Sequence, residues 1–201
     1  MRTKLTLVDC PSESVIVEVS SEYTPANNSE TYEQTFLRYA LNPAYAAYWW
    51  RHTYVPRLGE ARGKIVLLRR FAGTTGVVDG IDVTHWSDNG EFTVGDTRGV
   101  SLVVQDYYQV NAWTNDHKWS AITDLLNRAA ADTSGTWYLD FTSGVRTPAG
   151  IPDIPGVAND IDARLTMLLG ADTRHFVHYG AIVSDFVTKS LVQAELRHYF
   201  Q

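Results

Sequence analysis

"GKIVLLRRF", Gly63 to Phe71, sets four apolar residues in a row ahead of two arginines. An all-apolar run bounded by turn residues suits a strand covered on both faces, as in a parallel sheet. Arginine is seldom fully buried without a partner. At least one of Arg69 and Arg70 is therefore expected at a mouth or edge, facing an anion.

Working outward, other segments repeat the pattern. "SVIVEVS" (Ser14 to Ser20), "SLVVQD" (Ser101 to Asp106), "TWYLDF" (Thr136 to Phe141) and "YGAIVSDF" (Tyr179 to Phe186) read as strands. Between them lie helical patterns. "ETYEQTFLRYAL" (Glu30 to Leu41) carries Thr31 and Gln34 as a capping box. "DHKWSAITDLLNRAAA" (Asp116 to Ala131) puts Trp119, Ile122, Leu125 and Leu126 on one face. "NDIDARLTMLL" (Asn159 to Leu169) does the same with Ile161, Leu165 and Leu168, and Val187 to Phe200 reads as a closing helix. Gly73 to Gly99 reads as one glycine-rich loop. Strands alternating with helices predict a parallel α/β sheet. The strands also end in polar residues: Ser20 and Ser21, Arg69 and Arg70, Gln105 and Asp106, Asp140, Ser184 and Asp185. In a (β/α) barrel that rim is where sites are built.

Composition sets bounds. The chain has 201 residues, 44% of them hydrophobic, enough for a substantial core. Its net charge of -6 argues against nucleic acid, whose binders show a basic face. A single cysteine, Cys10, excludes an intrachain disulfide. No run reaches the roughly 20 apolar residues of a membrane helix, and the N-terminal residues lack the apolar stretch of an export signal. Compartment is left open.

The order of these pieces resembles bacterial-type phosphatidylinositol-specific phospholipase C. "LGEARGKIVLLRRFAG" (Leu58 to Gly73) is the specific part. "CPSESVIVEVSSEY", "TYEQTFLRYALNP", "VVQDYY", "YLDFTSG" and "AIVSDF" follow the family's order across nearly the whole chain. The resemblance implies an incomplete (β/α) TIM-type barrel with about five strands, residues 1–201 forming its C-terminal part. It implies cleavage of the glycerol–inositol phosphodiester without metal or cofactor. In that chemistry one histidine deprotonates the inositol 2-hydroxyl and a second protonates the departing diacylglycerol, leaving a cyclic inositol phosphate. Imidazole suits both steps because its pKa lies near working pH.

By the same resemblance, Arg70, Asp106 and Tyr108 bind the inositol ring, the first two through its hydroxyls and Tyr108 by stacking. Asp185 orients the general-base histidine. Plainer readings stand beside these: Arg70 and Asp106 as a salt bridge across neighbouring strand ends, Tyr108 as core, Asp185 as the cap of the last helix. Arg69, alternating to the other face, reads as a structural or solvated charge. Trp86 and Trp113, in loops after strands, suit contact with a membrane surface.

The departures are as informative. The family's two catalytic histidines and its phosphate-clamping arginine precede the strand Ser14 to Ser20, so this chain is expected to start too late to hold them. Ser20 and Ser21 stand where the family tends to carry lysines. None of the six histidines lies in a family catalytic motif, although His85 sits in a loop that could face the mouth. The expectation is therefore a chain that recognises an inositol phospholipid headgroup but is inactive alone. The alternatives are a non-catalytic binding module and a decayed fragment.

Overall fold

The computed structural model describes residues 10–23, 26–74, 76 and 78–198. The chain divides into two compact units, residues 1–86 with 94–100, and residues 87–93 with 101–201.

In the first unit, β1 (Val15–Ser20) is followed by α1 (Tyr32–Ala40), β2 (Trp49–Trp50), α2 (Leu58–Ala61), β3 (Ile65–Arg70) and β4 (Ile81–Asp82). The opening stretch is the central strand of the sheet. On one side it pairs in parallel with β1, from Val15 opposite Ile65 to Ser20 opposite Arg70. Its other side is shared: β2 pairs with Ile65 and Val66, and β4 with Leu68 and Arg69, both in parallel. Flanked on both sides, Val66, Leu67 and Leu68 are almost wholly buried. The strand runs two residues further than its apolar run suggests and includes both arginines.

The capping box of α1 forms as read, with Gln34 N–H donating to Thr31 Oγ1 and Thr31 N–H to Gln34 Oε1. It starts the helix so that Phe36 and Ala40 face Leu67, Phe71 and Val78. The Phe36 ring lies 5.3 Å from Phe71 and 5.4 Å from Trp49. Burying such side chains contributes roughly 1.5–3 kcal/mol each.

After β5 (Gly90–Gly95), of which residues 90–93 belong to the second unit, that unit holds β6 (Ser101–Asp106), α3 (Asp116–Ala131), β7 (Trp137–Phe141), α4 (Ile154–Ala171), β8 (Ala181–Val183) and α5 (Lys189–Leu196) in order. The sheet order is β5-β6-β7-β8, with β6, β7 and β8 parallel. Ile122 and Leu126 of α3 pack with Val157, Ile161, Leu165 and Leu169 of α4 and Leu191 of α5.

Several expectations are corrected. The loop Gly73 to Gly99 holds two strands, β4 and β5. The strands carrying Arg70 and Asp106 are not neighbours, since β6 lies between β5 and β7. Helix α4 starts at Ile154, where Asp153 caps it by accepting from Gly156 N–H at 2.7 Å and Pro155 suits the first turn. Leu168 is 41% exposed, and the neighbouring Leu169 takes the core position. Among the described residues α5 ends at Leu196.

Candidate functional site

In the first unit the site expectation rests on the end of β3. Arg69 is buried at 8% exposure. Its Nη1 donates to Phe71 O and its Nη2 to Asp82 Oδ2, both at 2.5 Å, which fits the structural reading. Arg70, on the opposite face, is half-buried, and its guanidinium sits 5.1 Å from the centre of the Trp86 ring. It borders a cavity of about 560 Å³ together with Ser21, Asp82 and Thr84. The anion facing the pair is thus Asp82, and it meets Arg69. Trp86 is only 9% exposed, so the expected membrane contact by its ring is set aside. Trp113, in the second unit, is 79% exposed.

In the second unit, three parallel strands deliver polar residues to one end. The register sets Gln105 beside Asp140, and Asp140 beside Ile182, shortly before Asp185. Leu102 and Val104 anchor β6 in the core, so its last residues fall at the rim. Asp106, Tyr108 and Asp185 are all half-buried. Tyr108 is not core: its hydroxyl donates to Asp88 Oδ1 at 2.9 Å and accepts from Gln109 Nε2 at 3.1 Å. Nor does Asp185 cap the last helix. Thr188 does, accepting from Leu191 N–H.

A residue that the sequence reading passed over sits behind these three. Lys118 of α3 is 1% exposed. Its ammonium donates to Gln105 Oε1 at 3.1 Å and to Phe141 O. Gln105 is in turn fully engaged. Its Oε1 also accepts from Tyr107 N–H at 2.8 Å, and its Nε2 donates to Asp140 Oδ1 at 2.6 Å and Phe141 O at 3.0 Å. Two acceptor and two donor bonds exhaust a glutamine amide. Burial pulls the Lys118 pKa down to about 8, against the attraction of Asp140, Asp106 and Asp185. Burial pushes Asp140 up to about 7, against its bond from Gln105 and the Lys118 charge. Asp140 Oδ2 is buried and, among the described residues, accepts no hydrogen bond. The signal for Lys118 was present in the sequence, because it heads the i, i+4, i+7, i+11 stripe that continues through Ile122, Leu125 and Ala129.

The histidines are dispersed. His85 is exposed in the turn after β4. His117 packs edge-on to Tyr107, and His198 is buried with its ring nitrogens against Arg174 O and Leu169 O. Among the described residues of the second unit, no histidine hydrogen-bonds Asp185. No group of three or more His, Cys, Asp or Glu among the described residues is placed to hold a metal ion. No described helix is long and apolar enough to cross a membrane.

A parallel α/β chain whose second unit brings polar strand ends together defines the class, and comparison with known proteins narrows it. No protein-family model matches the chain. A 1-phosphatidylinositol phosphodiesterase of Staphylococcus aureus (strain Newman) is 30% identical over 141 residues, covering 66% of this chain and 44% of that protein. A protein of the same name from S. aureus strain NCTC 8325 / PS 47 is similar to the same degree. The chain thus spans less than half the length of these curated relatives. Among solved structures, an S. aureus phosphatidylinositol-specific phospholipase C, from work on modulation of its membrane binding, superposes with a TM-score of 0.79 at 23% identity. That match covers 96% of this chain and 68% of the other. The Listeria monocytogenes enzyme gives 0.68 at 16% identity, covering 98% and 68%. The fold is the α/β barrel type of these phospholipases, represented in part. The chain is similar in fold to bacterial phosphatidylinositol-specific phospholipase C over nearly all of its length, and in sequence to the S. aureus phosphodiesterases over 66% of it.

Proposed function

We propose that this chain carries the inositol-recognising part of a site that, in its family, cleaves the phosphodiester of an inositol phospholipid. Asp106 accepts from ring hydroxyls and Tyr108 offers a flat surface to the ring carbons; Arg70, in the first unit, is kept as a hydroxyl-binding residue on the family resemblance alone. Asp185 is the carboxylate that would orient a general-base imidazole. The observation that carries the reading lies in the second unit: Asp106 and Asp185, matched to the family on separate strands, both lie in electrostatic reach of one buried cation, Lys118. Two carboxylates placed around a common positive charge offer acceptor oxygens to ring hydroxyls.

None of the six histidines serves as the acid–base pair in this reading. General acid–base catalysis contributes roughly 10²- to 10⁴-fold per group, so the chain is expected to show no cleavage above background. Titration calorimetry with myo-inositol tests recognition: Asp106→Asn and Arg70→Ala should each weaken binding, and indifference to both ends the assignment. A phosphatidylinositol cleavage assay tests the rest. Cyclic inositol phosphate that disappears in Asp185→Asn would refute the non-catalytic reading. Membrane contact is now assigned to Trp113 alone; its emission should shift to the blue on phosphatidylinositol vesicles, and an unmoved spectrum in Trp113→Phe would identify the residue responsible.

A further inference from the structure

We infer that Lys118 is a positioning residue of this site, holding the turn that carries Asp106 and Tyr108 and setting the charge around Asp106 and Asp185. The inference rests on the reading above and adds to it a residue that touches no substrate. Its geometry is a relay through one side chain. The Lys118 ammonium donates to Gln105 Oε1, and the same oxygen accepts from the backbone N–H of Tyr107. Tyr107 lies between Asp106 and Tyr108, so the direction of the chain through both candidate binding residues is set by that amide. On its other side Gln105 is tied to Asp140 and to Phe141 O, and the Lys118 ammonium also reaches Phe141 O. One cation thus pins the ends of β6 and β7 together from beneath.

The charges around it come from every strand of this end. Asp106 faces it from β6, Asp140 from β7 and Asp185 from the turn after β8. Glu91 of β5 and Arg128 of α3 act on Asp140, and Asp162 of α4 is coupled to Asp185. A buried ammonium among three carboxyl groups is not needed for packing. An apolar side chain in a helix stripe would fill the space at no desolvation cost. A lysine whose folded pKa is about 8 keeps its charge at neutral pH and loses it a little above.

The test uses the full chain and myo-inositol between pH 6 and 9.5. Wild-type affinity should hold to pH 7 and decline as pH passes about 8. Lys118→Arg, which stays charged, should keep its affinity through that range. Lys118→Met should bind roughly tenfold more weakly at pH 7, the loss expected for one charge-assisted contact, and show no alkaline decline. If Lys118→Met does not fold, Lys118→Met with Asp140→Asn removes the cation and its buried counter-charge together and is read in the same way. A folded neutral variant that binds like wild type, or an alkaline decline unchanged in Lys118→Arg, overturns the inference. A second measurement separates it from the functional reading. The backbone amide resonance of Tyr107 and the side-chain amide of Gln105 should titrate with a midpoint near 8 in the wild type and not in Lys118→Arg. If no form binds inositol but these resonances titrate, the inositol assignment falls and the positioning role stands. If they do not titrate, the positioning role falls.

Discussion

Replacing Asp162 by asparagine should stabilise the protein at pH 8 and leave it nearly unchanged at about pH 3.5. Asp162 lies in the middle of α4, 7% exposed, and among the described residues no donor reaches its carboxylate. Burial first and Asp185 second push its pKa from 3.8 up to about 6. A carboxyl with a raised folded pKa binds protons more readily in the folded state. Its contribution to stability is therefore full below about pH 4 and is lost as pH rises through about 6. Two pKa units correspond to about 3 kcal/mol. Asp185, half-buried, is partly screened by water, which reduces the expected gain to about 1–2 kcal/mol. Asparagine matches the protonated carboxyl in shape and carries no charge, so the gain is confined to high pH. Thermal unfolding at the two pH values measures it, with about 3–6 °C expected at pH 8 for a chain of this size. Glu195 of α5, whose pKa is raised by burial and by Asp162, should gain from the same replacement. Equal shifts at both pH values, or a loss at pH 8, would refute the view that ionised Asp162 strains this helix contact.

Three further outcomes follow from the packing. Gly180→Ala should cost about 2 kcal/mol or more in urea unfolding, because Gly180 has φ +80° and a Cβ there would meet Tyr138 O at 2.5 Å. Asp82→Ala should cost about 1–3 kcal/mol, since among the described residues it leaves the buried Arg69 with only Phe71 O while Asp82 itself is largely exposed. Thr31→Ala breaks the α1 capping box and should lower stability by about 1 kcal/mol, visible as earlier unfolding in a denaturant series.

The parts of the fold legible in the sequence are those where local pattern and tertiary packing demand the same thing. β6 and α3 have the bounds read from their residues, because an apolar strand and an amphipathic helix each carry a period that packing only confirms. β2 and β4 were not read. Each has two residues, too few for any period, and exists because β3 offers its second side to two short partners in turn. β5 was missed although "GEFTVG" alternates in burial, because its two terminal glycines and the glycines around it argue for a loop. Leu168 and Leu169 illustrate a finer limit. One residue of helical rotation, about 100°, decides which of two adjacent leucines is covered, and that rotation is fixed by α5 and β8 rather than by α4.

The candidate site divides along the same line. Arg70, Asp106, Tyr108 and Asp185 were nameable because the short segments that carry them resemble the family's motifs, and such a motif is local in sequence. Lys118 was passed over because a lysine in a helix is ordinarily read as a solvated charge. Its burial depends on what the sheet places above it: an acceptor on β6, a carbonyl on β7 and three carboxylates from three strands. No single segment contains that information. A lysine standing at a core position of an amphipathic stripe is the trace it leaves in the sequence, since the stripe predicts burial and burial of an ammonium requires anions nearby. Read in that order, the stripe containing Lys118 implies a cluster of acceptors at the strand ends it faces, and Gln105, Asp106, Asp140 and Asp185 are the residues that supply it.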